Sequence, residues 1–222
     1  MAKKSLLFCL SFVLMLFIVT PVSASSPEKS GLSDEQVRQK LIDIGTKYGV
    51  EVITPDSSTS RQNNSLGLEL KKFDSFEELK AFISALIMAD KHTNQDISTF
   101  TSPQNFNTSS TYHDGHVKWY AMLVGGLFSW KNIDYSYRVA FENNGRGYLT
   151  NIFNVNSYLT GLQTGLDWTQ TSSASTMWSG NTAYISVDGY YLVGAEVFGI
   201  PIGYKHKTTW NRTVEMSLPW LA

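Results

Sequence analysis

The sequence predicts an all-β antiparallel sandwich in its C-terminal half, preceded by a small α+β unit of order α-β-β-α. Three observations carry that prediction. Residues 133–142 alternate strictly, with Ile133, Tyr135, Tyr137, Val139 and Phe141 on one side and Asp134, Ser136, Arg138, Ala140 and Glu142 on the other. This period of two belongs to a strand that buries one face. Turn signals such as Asn143-Asn144-Gly145 and Asp188-Gly189 recur between further alternating runs, as they do in sandwiches and barrels. All six tryptophans lie in residues 112–222, so the composition changes sharply after residue 111.

Composition limits the function classes. The chain has 222 residues, with 42% hydrophobic, 13% aromatic and 17% charged. That is enough apolar material for a core, and it excludes wholesale disorder. Lys+Arg is 18 and Asp+Glu is 19, so there is no basic excess to hold a phosphate backbone and no nucleic acid is expected as a partner.

The first 24 residues read as a secretory signal peptide. Lys3 and Lys4 form the positive start, residues 6–19 are apolar, and Val22-Ser23-Ala24 follows Pro21 as a small-residue cleavage site. The apolar run is shorter than the roughly 18 residues of a spanning helix, so cleavage after Ala24 and release outside the cell are expected. The single cysteine, Cys9, leaves with this segment, and the product then has neither a disulfide nor a Cys-based zinc site. In organisation it resembles small exported proteins of Gram-positive bacteria.

Residues 25–32 form a flexible lead, and residues 33–92 the α+β unit. Ser33 with Gln36 fits a capping box, with Asp34 and Glu35 in the positive first turn. Val37, Leu41, Ile44 and Tyr48 then share one helical face, and Gly49 ends the helix. Short strands are expected at 50–54 and 66–73, joined by a polar loop. Ser75 and Glu78 form a second capping box, which opens a helix from Phe76 to about Lys91. Residues 93–111, rich in Ser, Thr and Asn, read as a linker. Within 112–222, strands are expected at 117–124, 133–141 and 148–155, around Trp168, and at 183–187, 190–197 and 208–216. Two hairpins are expected at Asp188-Gly189 and around Ile200-Pro201.

Candidate chemistry is sparse. His113-Asp114-Gly115-His116 gathers potential metal ligands, but on a strand residues three apart face opposite ways. A site would need a turn at Gly115 and a distant third ligand such as His206, so no metal is expected. No Gly-x-Ser-x-Gly elbow and no phosphate-binding glycine loop is present, and no cofactor is expected. Glycan hydrolysis would need two acids at a set separation. Glu196, between Ala195 and Val197-Phe198, is the acid whose burial would matter. Residues 121–128 are apolar on both faces. They are expected to form a central strand turning at Gly125-Gly126, and a membrane partner is not expected.

The aromatic residues favour recognition. Rings beside amides and hydroxyls suit stacking on sugars. The candidate ligand-binding residues are Trp168, Gln170, Trp178, Asn181, Tyr190, Tyr191 and Tyr204. The expectation is therefore a secreted, non-enzymatic protein whose β-sandwich recognises a cell-wall or carbohydrate ligand or another secreted protein. The alternatives are an extracellular glycan hydrolase using Glu196 and a membrane-active secreted factor using residues 121–128. The N-terminal unit is a candidate inhibitory or chaperoning segment for the β region.

Overall fold

The computed structural model describes residues 31–54, 69–93, 112–122, 128–141, 147–179 and 181–215. The expected signal peptide, the polar loop at 55–65, all but the first residue of the linker and the Asn143-Asn144-Gly145 turn lie outside the described residues. Among the described residues two helices and eight strands follow in the order α1 (Asp34–Tyr48), β1 (Glu51–Ile53), β2 (Lys71–Phe73), α2 (Phe76–Thr93), β3 (Tyr112–Met122), β4 (Phe128–Phe141), β5 (Gly147–Leu162), β6 (Leu166–Met177), β7 (Thr182–Val197) and β8 (Ile200–Glu215).

Both helices start as their sequences dictate. Ser33 Oγ accepts the Gln36 N–H, the Gln36 side chain accepts the Ser33 N–H, and Gly49 closes α1 at φ 68° in the left-handed region. At α2, Ser75 Oγ accepts the Glu78 N–H, but the Glu78 carboxylate reaches one residue further back, to the Asp74 N–H.

The strands form two sheets. β3-β4-β5 is an antiparallel meander of three strands. In the other sheet β7 is central. It pairs with β8 along its length, and its other edge is shared by antiparallel β6 and by β2, which runs parallel at residues 195–197. β1 adds to the outer edge of β8 at residues 203–205. The inward faces supply a core of Val117, Ile133, Tyr135, Tyr137 and Val139 from one sheet and of Trp168, Ile185, Val187, Tyr191, Val193 and Trp210 from the other. This is the expected β-sandwich. Val37, Leu41 and Ile44 of α1 and Phe76, Leu79, Phe82, Ile83 and Leu86 of α2 join the same core. Tyr204 Oη donates to the Leu41 carbonyl, and Phe76 packs edge-on against Phe198. The described residues from Gly31 onward thus cluster as one compact unit. The two strands of the small α+β unit, β1 and β2, are hydrogen-bonded into the sheet of β6, β7 and β8.

Three local expectations are corrected. Asp188-Gly189 is not a hairpin turn, because β7 runs straight through it. Gly189 is there for space: a Cβ would stand 2.4 Å from the Trp168 ring and 2.5 Å from the Thr169 carbonyl oxygen. The hairpin between β7 and β8 turns at Phe198 (φ 53°) and Gly199 (φ 83°), ahead of Ile200-Pro201, with Val197 paired to Ile200. Two successive positive φ values in a two-residue loop match the twist of the flanking strands. Finally, the strand expected at 117–124 begins earlier: β3 starts at Tyr112 and takes in His113-Asp114-Gly115-His116. The space beside Gly115 is filled by the Tyr135 ring, 2.3 Å from where a Cβ would stand.

Candidate functional site

The outward face of the five-stranded sheet is polar. Beyond a bulge at Gln170/Ser172, Ser172 pairs with Asp188 and Asp188 with Thr209; one row along, Thr169 pairs with Tyr190 and Tyr190 with Lys207. This face carries a pocket of about 330 Å³ lined by Thr171, Asp188, Gly189, Tyr190, Lys205, Lys207, Thr208 and Thr209. Its volume lies at the small end of the roughly 300–1,000 Å³ of small-molecule sites. A bulge in β6 at Gln170/Ser172 lies beside this part of the face.

Asp188 is fixed from both neighbouring strands. Its Oδ1 accepts the Thr209 hydroxyl at 2.6 Å and its Oδ2 accepts the Ser172 hydroxyl at 2.8 Å. These two hydrogen bonds, Thr209 first, hold its carboxyl below the usual range. Lys205 Nζ stands 4.4 Å over the Tyr190 ring, and both Lys205 and Lys207 approach Glu51 of β1, at 3.8 and 3.5 Å. The pocket therefore offers one ring, one ionised carboxylate, two ammonium groups and several hydroxyls. These are groups suited to hydrogen-bonding a polar ligand.

The seven candidate residues are dispersed. Tyr190 lines the pocket. Trp178 is 69% exposed, stacked on Tyr184 at the β6–β7 turn, and Asn181 accepts the Ser179 hydroxyl there. Tyr184 and Tyr190 are six residues apart on one strand, about 20 Å, so these are two separate places. Trp168, Tyr191 and Tyr204 are core rings and offer no surface. Trp168 stacks on Trp210 at 3.9 Å between centroids, and Tyr204 lies under α1. Gln170 serves the fold. Its Oε1 accepts the Ser157 N–H at 2.7 Å and the Ser157 hydroxyl at 2.8 Å, its Nε2 donates to the Val155 carbonyl at 3.0 Å, and Trp168 Nε1 donates to Ser157 Oγ at 2.8 Å. One side-chain amide thus stands in for a peptide group and lashes β6 to β5, strands that belong to different sheets.

Glu196 faces outward and pairs with Lys72 at 3.8 Å, outside the pocket. His116 Nδ1 meets Asp134 Oδ1 at 2.5 Å, while His113, on the opposite face, packs against Tyr137. Among the described residues no group of three metal-ligating side chains forms.

Sequence reasoning missed a charged cluster in the core. Asp90, in the last turns of α2, is 4% exposed. Its Oδ1 accepts Lys131 Nζ of β4 at 2.8 Å and Tyr191 Oη at 3.3 Å, its Oδ2 accepts Thr208 Oγ1 at 2.5 Å, and His206 Nε2 lies 3.8 Å away. The Lys131 ammonium also sits 5.0 Å from the centre of the Trp210 ring, and Arg212 stacks 3.9 Å over Trp119. Burial alone would raise the Asp90 pKa, but His206, the Lys131 charge and the surrounding donors outweigh it and bring it to about 2. Burial pushes Lys131 down to about 8 against the pull of Asp90. A signal was present: the parity of residues 133–141, carried back one step, places Lys131 on the inward face, and Arg212 shares the parity of Trp210 and Val214.

No protein family, no curated protein and no solved structure matches this chain.

Proposed function

We propose that this is an exported, non-enzymatic recognition protein whose β-sandwich binds a carbohydrate of the cell surface or cell wall in the pocket around Tyr190. The observation that carries the reading is the lining itself. An aromatic ring lies beside threonine hydroxyls, a fixed carboxylate and two lysines, the mixture that stacks on a sugar face and satisfies its hydroxyls. Asp188 supplies acceptor oxygens that are already oriented, which lowers the cost of ordering a ligand around them.

The pocket favours binding over hydrolysis. A glycosidase requires two carboxyl groups, one of them a proton donor near neutral pH. Asp188 is the one carboxylate among the lining residues, and its hydrogen bonds favour the ionised form. Export rests on the signal-peptide pattern of residues 1–24 and the cleavage expected after Ala24.

Calorimetric titration of residues 25–222 with soluble peptidoglycan fragments and a panel of polysaccharides tests the proposal. Binding of at least one glycan is expected, weakened at least tenfold by Tyr190→Ala and by Asp188→Asn, with Trp178→Ala unchanged. Glycan cleavage abolished by Asp188→Asn would replace the proposal with the hydrolase reading. Binding indifferent to both pocket substitutions, or binding to no glycan, would overturn it.

A further inference from the structure

We propose that the β3–β4 hairpin end of the three-stranded sheet is a membrane-surface contact that seats the protein on a phospholipid bilayer. The register arranges the outward face of β3, β4 and β5 in successive rows. The row at the hairpin end pairs Met122 with Phe128 and Phe128 with Leu162; Phe128 and Leu162 are 60% and 55% exposed. The next row is Tyr120, Trp130 and Thr160, with the two rings in edge contact at 4.9 Å and both more than a third exposed. The third row is Lys118, Asn132 and Tyr158, where the exposed Lys118 ammonium lies 4.7 Å over the Trp130 ring. The first carboxylate on this face, Asp134, comes only in the fourth row, already met by His116.

The sequence of rows is the depth profile of a bilayer interface. Aliphatic and phenyl groups favour the acyl region, Trp and Tyr favour the headgroup boundary, and Lys favours the phosphate level. Rows two residues apart on a strand are separated by about 7 Å, and interfacial elements bury their apolar side about 5–10 Å into that boundary. With Tyr120 and Trp130 at the boundary, Phe128 and Leu162 reach the acyl chains and Lys118 faces the lipid phosphates. The nearest acid is one row further out. The contact is thus both graded in polarity and complementary in charge to a phospholipid surface.

Of the run 121–128 expected to be buried on both sides, residues 123–127 with the Gly125-Gly126 turn lie outside the described residues, and Phe128 is largely open. The contact brings back the membrane as a partner, as a surface to lie on. Among the described residues no helix is long and apolar enough to cross a bilayer. The contact lies on the other sheet from the pocket, so neither reading depends on the other.

The test is co-sedimentation of residues 25–222 with large unilamellar vesicles of phosphatidylcholine alone and of phosphatidylcholine with phosphatidylglycerol. Emission is read with brominated lipids in a Trp178→Phe/Trp220→Phe background, with and without Trp130→Phe, so that the difference isolates Trp130. Partitioning is expected to both vesicles, stronger with phosphatidylglycerol, with Trp130 quenched by bromine. Phe128→Ser/Leu162→Ser should lower partitioning at least tenfold with an unchanged thermal melt, because both side chains are exposed. Lys118→Gln should remove the phosphatidylglycerol preference, and Tyr190→Ala should change nothing. No partitioning to either vesicle, partitioning unaffected by the double substitution, or self-association in lipid-free buffer abolished by it would each overturn the proposal. The last outcome would assign the face to a second copy of the chain.

Discussion

At the scale of single residues, Asp90 is the position on which most depends. Its carboxylate receives donors from β4, β7 and β8 while standing on α2, so one side chain fixes a helix to both sheets. The Asp90–Lys131 pair is a poor source of net stability, because taking both charges out of water offsets their attraction. Asp90 falls to about 2 and Lys131 to about 8. The two shifts act in opposite directions: the ionised acid is favoured in the fold, the charged amine is disfavoured. Breaking the pair is another matter, because it strands a charge in the core. Asp90→Asn is expected to cost about 3–5 kcal/mol in urea unfolding at pH 7. The acid dependence should change with it. A folded pKa below the usual carboxylate value contributes stability that is fully present above about pH 4 and is lost as pH falls through about 2. The melting temperature of the parent protein should therefore drop across that window, and the Asp90→Asn variant should show a shallower slope. Equal slopes would remove Asp90 from the account. Such a residue is hard to read from sequence. Ala89-Asp90-Lys91 reads as the polar end of an amphipathic helix, and only the distant strands turn it inward.

At the scale of elements, the sequence was legible where one local rule governed and misleading where a neighbouring strand overruled it. The caps of α1, the alternation of β4 and the paired positions around the Asn143-Asn144-Gly145 connection follow from spacing alone. Asp188-Gly189 misled because the dipeptide is a turn signal by propensity, whereas the Trp168 ring and the Thr169 carbonyl oxygen press on Gly189 from β6. The candidate pocket was half legible for the same reason. Tyr190 carried a chemical signal, but the hydroxyls that hold Asp188 come from two other strands. Gln170 shows how far such cross-strand dependence extends. With its amide bridging Ser157 and Val155, it makes the junction between the two sheets a hydrogen-bonded one. Gln170→Ala leaves the Ser157 N–H, the Ser157 hydroxyl and the Val155 carbonyl without that partner, at about 1–3 kcal/mol for each buried group left unsatisfied. The expected result is an overall loss of about 3 kcal/mol or more, with hydrogen exchange accelerated at the Ser157 amide before the centre of β7 is affected. Unchanged protection at Ser157 would mean that the junction is held by packing alone.

At the scale of the whole molecule, the question is whether residues 112–222 can stand without the segment before them. Composition argues for a boundary at the linker, and the pairing argues against it. Without residues 31–93, β8 loses β1 at residues 203–205, β7 loses β2 at residues 195–197, and Lys131, Tyr191 and Thr208 lose the Asp90 carboxylate. The core also loses Val37, Leu41, Ile44, Val50, Phe73, Phe76, Leu79, Phe82, Ile83 and Leu86. At about 1.5–3 kcal/mol for each buried side chain, these ten account for about 15–30 kcal/mol of burial. If half of that arises within the helical layer itself, the remainder still matches the roughly 5–15 kcal/mol by which a whole domain is stable. Residues 112–222 expressed alone are therefore expected to lack a cooperative melt, to show weak near-ultraviolet circular dichroism and to bind a hydrophobic dye, the marks of a chain that has lost its specific packing. A sharp, reversible transition in the fragment would show that the sandwich is autonomous and would return the N-terminal segment to the role of a detachable chaperone or inhibitor. The expected failure would instead make it a structural layer of the sandwich, one that no release or cleavage event could remove without unfolding the recognition surface.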